Sequence, residues 1–422
     1  MSVPKIAIMH YSSAPVVGGV ESVIREHSSL FADAGYPVTI FSGRGERVDP
    51  NVDFRSNDLF HSSTPRILKI KESLDQGTVP DSFEPVKNEI FDFLMCELTQ
   101  FDIIFAHNIC SLHKNLPLTA ALYAFLQQYE KAKLISWDHD LAWKNSQYRK
   151  QLFDAYPWDL LKKTWHPTRH RHVTVSDMRK KELEQLLGDS AFPVLSIPSG
   201  IDWKSILNLG DQVLNIIQTY SLMDAHPVLF LPARITRRKN IELAISITAA
   251  MRTAFPSIAL VISGPLGPHN PKNREYFNEL QQLASQNTLD KVKIKGKPKV
   301  IFLAEYDQKF LPMSTIYDLF RFTDVLLFPS FQEGFGIPIL EAGMTQKPIF
   351  CSDIPPFHET ANSMAHYFDP SGDPMDIANE IVNVIKQQKI LNHKFKVKQQ
   401  YTWNNIFTQQ IEPLVLSNRK KE

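Results

Sequence analysis

Short apolar runs alternating with longer segments of helical period set the tightest limit on how this chain can fold. The runs "KIAIMH" (5–10), "PVTIFSG" (37–43), "FDIIFAHN" (101–108), "KLISWDHD" (133–140) and "HVTVSD" (172–177) read as buried strands, each ending in polar or small residues. Helix-like segments lie between them, such as 19–35 and 116–130. A second series follows, with strands "PVLFLPAR" (227–234), "IALVISG" (258–264), "DVLLFPS" (324–330) and "KPIFCSD" (347–353), and helices at 240–255 and 273–285. Continuous apolar runs suit parallel strands, whose two faces are both covered by helices. The repeated alternation predicts two α/β domains with parallel sheets. The 422 residues also exceed what one hydrophobic core usually holds. The turn-rich "IPSGIDWKS" (197–205) marks the expected boundary, giving domains at 1–203 and 204–400. The polar stretch 44–84 fits no strand and reads as an insertion in the first domain.

With 43% hydrophobic and 22% charged residues, the chain has material for two cores and no sign of global disorder. A formal net charge of +1 gives no overall field to attract nucleic acid. Cys96, Cys110 and Cys351 are scattered and odd in number, which favours reduced thiols and a cytoplasmic location. The start, "MSVPKIAIMHYSS", lacks a signal-peptide pattern, and no apolar run approaches the roughly 18 residues of a membrane span. "RHRH" (169–172) with Lys162 and Lys163 makes a local basic patch for peripheral contact with anionic lipid, against a plain solvated surface. The expected state is a monomer or weak homodimer.

In open parallel sheets, ligands bind beyond the carboxyl ends of the strands. Several of those ends carry chemistry here. Gly18 and Gly19 precede a helix after the first strand, where backbone N–H groups can approach an oxyanion, although a simple turn has the same signature. "LPARITRRKN" (231–240) sets Arg234, Arg237, Arg238 and Lys239 after a buried strand, suited to a diphosphate or to a solvated basic loop. Gly264, in "VISGPLGP", is a third strand-to-glycine transition. The loop 264–273 is long and proline-rich, with no role assigned.

"FQEGFGIPILEAG" (331–343) places Glu333 before the turn Gly334, Phe335, Gly336 and Ile337, and Glu341 after it. Pro338 suits the first helical position, which would put Glu341 in the first turn. The N–H groups of Phe335, Gly336 and Ile337 would then face an anion at the positive helix end. A glycosidase needs two carboxylates flanking one bond, roughly 5 to 9.5 Å apart. Two acids on one turn-and-helix segment suit binding of hydroxyls beside a held phosphate better than cleavage.

These segments together resemble the large fourth family of retaining, nucleotide-sugar-dependent glycosyltransferases with the GT-B fold. "EGFGIPILE" is similar to that family's E-x7-E signature, "VVGGVES" to its amino-terminal glycine loop, "AHN" (106–108) to its third-strand ending and "HD" (139–140) to its histidine turn. "VSDMRKKEL" and "IPSGID" resemble its interdomain segments, and "ARITRRKN" its G-R-x4-K-G phosphate motif, with Ala233 and Asn240 in place of the glycines. The resemblance implies two Rossmann-like domains with parallel sheets facing across a cleft, and a closing helix at 401–422 ("YTWNNI") that crosses back to the first domain. It implies that Arg234 and Lys239 clamp the donor diphosphate, assisted by Gly18, Gly19, Gly264 and the amides of Gly334 to Ile337. Glu341 would take the ribose, Glu333 the hydroxyls of the transferred sugar, and His139 would lie beside that sugar. The catalytic set is then His139, Glu333, Arg234 and Lys239.

The donor implied is a nucleoside-diphosphate sugar, UDP-glucose or GDP-mannose first, with no cofactor and no metal. "DHD" (138–140) resembles a metal-binding D-x-D, but that motif belongs to a different architecture. His107 and Asn108 are candidates to face the acceptor, and Trp137 and Trp143 to stack on a sugar. The leading function is transfer of a hexose to a hydroxyl of a soluble sugar or glycan precursor. The alternatives are a membrane-surface transferase acting on a lipid-linked acceptor, a sugar-nucleotide epimerase on the same fold, and a non-catalytic sugar-nucleotide binding protein.

Overall fold

The computed structural model describes residues 3–188, 193–267, 272–289, 299–306 and 310–416. The chain divides into two compact units: Met1–Ile201 with Trp403–Glu422, and Asp202–Thr402.

In the first unit the strands are β1 (Ile6–His10), β2 (Val38–Ser42), β3 (Asp53–Ser56), β4 (Ile103–His107), β5 (Lys133–Asp138), β6 (His170–Thr174) and β7 (Leu195–Ser196). They form one sheet in the order β3-β2-β1-β4-β5-β6-β7, and every pairing is parallel. All five residues of β1 are buried, because helices cover both of its faces. Alternate side chains go to opposite faces. Ile6 and Ile8 join Ile24, Phe31, Phe105 and Ile135 on one side, while Ala7 and Met9 join Ile70, Ile90, Leu122 and Phe125 on the other. The first of these layers is completed by Ile406, Phe407, Ile411, Leu414 and Val415, so the segment after Thr402 is core material of this unit. Burying each such side chain is worth roughly 1.5–3 kcal/mol. The chain leaves the unit beside the place where it returns: a Cβ on Gly200 would lie 2.5 Å from the Trp403 indole.

The second unit holds β8 (Val228–Leu231), β9 (Ala259–Ile262), β10 (Lys299–Phe302), β11 (Val325–Phe328), β12 (Ile349–Ser352) and β13 (His366–Phe368). Their order is β10-β9-β8-β11-β12-β13, again all parallel. In each sheet the strand order reverses beside the unit's first strand, between β1 and β4 and between β8 and β11. Such a reversal opens a crevice at the strand carboxyl ends, where ligands of this architecture bind.

Three expectations are corrected. The stretch 44–84 is not an insertion without strands: it contains β3, which extends the sheet, and the helix Pro65–Leu74, which buries Ile67, Ile70 and Leu74. β3 is an edge strand with mostly exposed residues, so "DFRS" needs no apolar run. Second, β6 begins at His170, because His170 and His172 are interior residues: Ser136 Oγ lies 2.6 Å from His170 Nε2, and Asp138 Oδ2 lies 3.3 Å from His172 Nδ1. Third, this dissolves the basic patch. Lys162 and Lys163 pair with Asp154 and Asp159, and Arg169 donates to the carbonyls of Leu126 and Tyr129. Among the described residues, no helix is long and apolar enough to cross a membrane.

Candidate active site

Strand β8 delivers the basic loop. Arg237 is taken up by Glu279 at 2.7 Å and lies over the Tyr276 ring, while Arg238 is shared between Glu333 and the Gln332 carbonyl, both at 3.1 Å. Arg234 is exposed, with its guanidinium 5.7 Å over Phe310 and no carboxylate partner among the described residues. Lys239 is buried and donates to Glu333 Oε1, with the Phe328 ring 5.0 Å from its ammonium. Asn240 stands at φ 51°, a left-handed position that asparagine tolerates, and its amide donates to the Pro370 carbonyl at 2.8 Å.

Gly264 keeps this loop in place from β9. A Cβ there would lie 2.0 Å from the Ala233 carbonyl oxygen and 2.4 Å from the Arg234 nitrogen. Gly264→Ala is therefore expected to displace the Arg234 backbone at a cost of roughly 1–3 kcal/mol. The melting temperature of the variant should fall accordingly. Pro265, Leu266, Arg274, Phe277 and Phe310 border a groove of about 560 Å³ on this side. Residues 268–271 of the 264–273 loop lie outside the described residues.

Strand β11 delivers the acids. Glu333 accepts from Lys239 and, at 2.8 Å, from Ser330 on Oε1, and from Arg238 on Oε2. Burial pushes its carboxyl up, but Lys239, Ser330 and Arg238 outweigh burial and hold its pKa below the usual range. Burial likewise lowers the Lys239 pKa, partly offset by Glu333. The two groups form one charged pair, so Glu333 is an ionised acceptor and not a proton donor. Two expected roles, sugar hydroxyls for Glu333 and phosphate for Lys239, thus fall on side chains already joined to each other.

The turn is built around Gly336, at φ 94°, where a Cβ would also meet the Phe357 ring at 2.9 Å. The helix that follows is Ile337–Met344, one residue earlier than Pro338 suggested, because Gly336 takes the left-handed cap. Glu341 is consequently its fifth residue, beyond the first turn, and is not a helix-end charge. The amides of Gly334, Phe335, Gly336 and Ile337 donate to no acceptor among the described residues, which leaves the helix start open to an anion. The Glu341 carboxylate has neither an ion-pair nor a hydrogen-bond partner among the described residues, and burial raises its pKa. It lines a groove of about 430 Å³ with Tyr317, Phe320, Leu340 and Met344.

In the first unit, Gly18 caps the helix Gly19–Asp33 in an extended conformation. The carboxylate of Glu21 lies where a Gly18 Cβ would go, and it accepts from Ser12 at 2.5 Å. A negative group of the protein already faces this helix end beside Gly18. Gly19 borders open space.

His139 follows β5, and its Nε2 lies 3.0 Å from His107 Nδ1. Burial, then the nearby His10, lowers its pKa to about 3, so the ring is neutral at pH 7. Asn108, at φ 59°, accepts from the His139 and Asp140 amides at 2.8 and 3.3 Å. Asp140 pairs with Arg179 at 3.0 Å. The expectation that His107 and Asn108 face an acceptor is corrected: both are buried and brace the histidine turn. Trp137 is equally buried, against His27, Phe105 and His107, and cannot stack on a sugar. Trp143 has Arg149 and Lys162 at 4.9 and 4.4 Å from its ring. Among the described residues, no cluster of three His, Cys, Asp or Glu is placed to share a metal ion.

Sequence reasoning missed Ser330 and Arg238 as partners of Glu333, and Phe310 beside Arg234. For Ser330 a signal existed in its place three residues before Glu333, at the end of an apolar strand.

Comparison with known proteins agrees with this geometry. The family described as glycosyl transferases group 1 matches residues 215–400, and glycosyltransferase family 4 matches residues 17–204, so the two models span most of the chain. The mannosylglucosylglycerate synthase of Thermotoga maritima is 24% identical over 83% of this chain and 83% of its own. The trehalose synthase of Thermococcus litoralis is 22% identical over 81% of this chain and 73% of its own. The O-antigen chain mannosyltransferase RfbU of Salmonella typhimurium is 36% identical over 23% of this chain and 24% of its own. With two parallel Rossmann-type sheets, a basic loop after β8, and an acid–glycine turn after β11, the chain belongs to the group 1 glycosyltransferases of the GT-B fold.

Proposed function

We propose that this enzyme transfers a hexose, with retention of anomeric configuration, from a nucleoside diphosphate to a hydroxyl of a soluble sugar or glycan precursor. The observation that carries the reading is the Lys239–Glu333 pair at the strand reversal of the second unit, next to Arg234 and the open helix start. Lys239 has three N–H donors and spends one on Glu333, leaving others for a phosphate oxygen. A carboxylate has about four lone-pair sites, and Glu333 has three in use, which leaves one for a sugar hydroxyl. Arg234 and the amides of Gly334 to Ile337 complete the diphosphate site, Glu341 accepts from the ribose, and His139 serves the transferred sugar. Relatives named for mannosylglucosylglycerate and trehalose support a hexose and a small acceptor.

In the step itself, the bond from the anomeric carbon to the phosphate oxygen loosens while the acceptor oxygen bonds to the same face. The acceptor proton passes to the departing phosphate oxygen, and the nucleoside diphosphate leaves. Arg234 and Lys239 stabilise the negative charge growing on that phosphate, the contribution that usually dominates such reactions. Incubation with UDP-glucose, GDP-mannose and related donors, followed by mass spectrometry with mixed sugar acceptors, tests the reading. A donor-only epimer, or tight donor binding without turnover on any acceptor, would overturn it. Transfer is expected to survive EDTA, since the two cations supply charge that magnesium supplies elsewhere. Activity lost in EDTA and restored by magnesium would contradict that expectation.

A further inference from the structure

We propose that His107 is the positioning residue for His139: its Nδ1–H donates to His139 Nε2, which fixes the His139 proton on Nδ1 as a neutral donor. This rests on the reading of His139 as the group that serves the transferred sugar. His107 is the last residue of β4, pairs in register with Trp137 of β5, and is fully buried. Its ring lies 25° from that of His139, with the nitrogens 3.0 Å apart.

The direction of this bond follows from the remaining atoms. His107 Nε2 is buried among Trp137 and His27 and has no partner among the described residues. Trp137 Nε1 and one His27 nitrogen are already buried N–H groups without partners among the described residues, and placing the His107 proton on Nδ1, aimed at His139, avoids adding a third beside them. Burial, then the surrounding imidazoles, holds the His107 pKa well below its ordinary value, so there is one proton between the facing nitrogens. The residue itself is anchored by His10, whose Nδ1 lies 2.7 Å from the His107 carbonyl and must donate, because a carbonyl only accepts. Asn108 holds the backbone of the turn while His107 holds the ring. His139 is the partly exposed member of the pair, so its Nδ1–H is the donor left for a ligand.

Long-range ¹H–¹⁵N spectra of the full chain, labelled at histidine, test this directly. The His139 signals are assigned by their loss in His139→Gln. A pyrrole-like Nδ1 and pyridine-like Nε2 are expected; the reverse pattern overturns the proposal. His107→Phe keeps the ring and its packing but has no donor, whereas His107→Asn keeps an N–H near the Nδ1 position. The phenylalanine variant is expected to lose the fixed tautomer and roughly 10- to 100-fold in kcat. The asparagine variant should restore the tautomer and return kcat toward the wild-type rate. Equal impairment of both, or an unchanged tautomer in His107→Phe, overturns the proposal. The tautomer is read without turnover: the expected pattern in a protein that transfers nothing would support the positioning and remove the functional reading.

Discussion

Replacing Lys239 by alanine is expected to lower kcat/KM for glycosyl transfer by roughly 10²- to 10³-fold. Two losses coincide. On the proposed reading the diphosphate loses a cation, and Glu333 loses its closest counter-charge while staying only 10% exposed in its side chain. Arg238 and Ser330 remain, but the Glu333 carboxyl then moves up toward its protonated form. Glu333→Ala should cost a similar factor, because Lys239 would be left buried against Phe328 with no anion. Since each mutation spoils the other residue, the double variant is expected to lose far less than the product of the two single losses. Steady-state kinetics of nucleoside diphosphate release checks this. Wild-type rates in either single variant would remove the mechanism, and multiplicative losses would show that the pair does not act as a unit.

The second large effect concerns stability. Asp324, immediately before β11, is buried and accepts from the Val228 amide of β8 at 2.8 Å and from Lys394 at 2.7 Å. Lys394 also donates to the carbonyls of Phe322 and Thr323, Lys398 to those of Leu222 and Ala225, and Lys347 to that of Thr323. Burial alone would raise the Asp324 carboxyl, but Lys394 and Lys398 outweigh it and hold its pKa far below the usual carboxylate range. Burial, then Lys394, lowers Lys347 to about 7. Lys398, buried too, falls to about 8, with Asp324 resisting the fall. Asp324 thus faces three ammonium groups, with Asp224 also acting on Lys398. Asp324→Asn is expected to destabilise the second unit by roughly 3–5 kcal/mol, the cost of leaving buried charge uncompensated.

The sign with pH follows from the lysines. Their folded pKa values lie below the unfolded value, so they oppose folding while protonated, and that opposition lifts as pH rises from about 7 toward about 10. Urea unfolding of the Asp324→Asn protein should therefore show a deficit that shrinks on going from pH about 6 to about 9. A deficit that grows over that window would refute the assignment. Asp324, whose folded pKa is also depressed, has a pH slope of the same sign in a lower window, with stability present above its unfolded pKa and lost as pH falls through its folded value.

Much of this architecture was legible because interior parallel strands are apolar from end to end: β1, β4, β8 and β11 each read directly from four or five consecutive residues. The four edge strands β3, β7, β10 and β13 were not, since edge positions tolerate "DFRS" and a half-exposed "HYF", and β7 and β10 are two and four residues long. In the site, the residue types and their places at strand ends were visible, but their partners were not. Glu333 and Lys239 are 94 positions apart, and His107 and His139 are 32 apart. Only the strand order brings such pairs together, and local sequence carries no record of it. For the same reason Trp137 looked available for a sugar until its neighbours placed it in the core.

The first unit is discontinuous, and this dictates an order of events during synthesis. Residues 202–402 form an uninterrupted stretch whose strands all pair among themselves, so that lobe has everything it needs as soon as it emerges. The amino-terminal lobe, although translated earlier, lacks part of the layer around Phe31 and Phe105 until Ile406, Phe407 and Ile411 arrive to complete it. The half made first is the half finished last, which makes the nascent chain stickiest on that exposed layer.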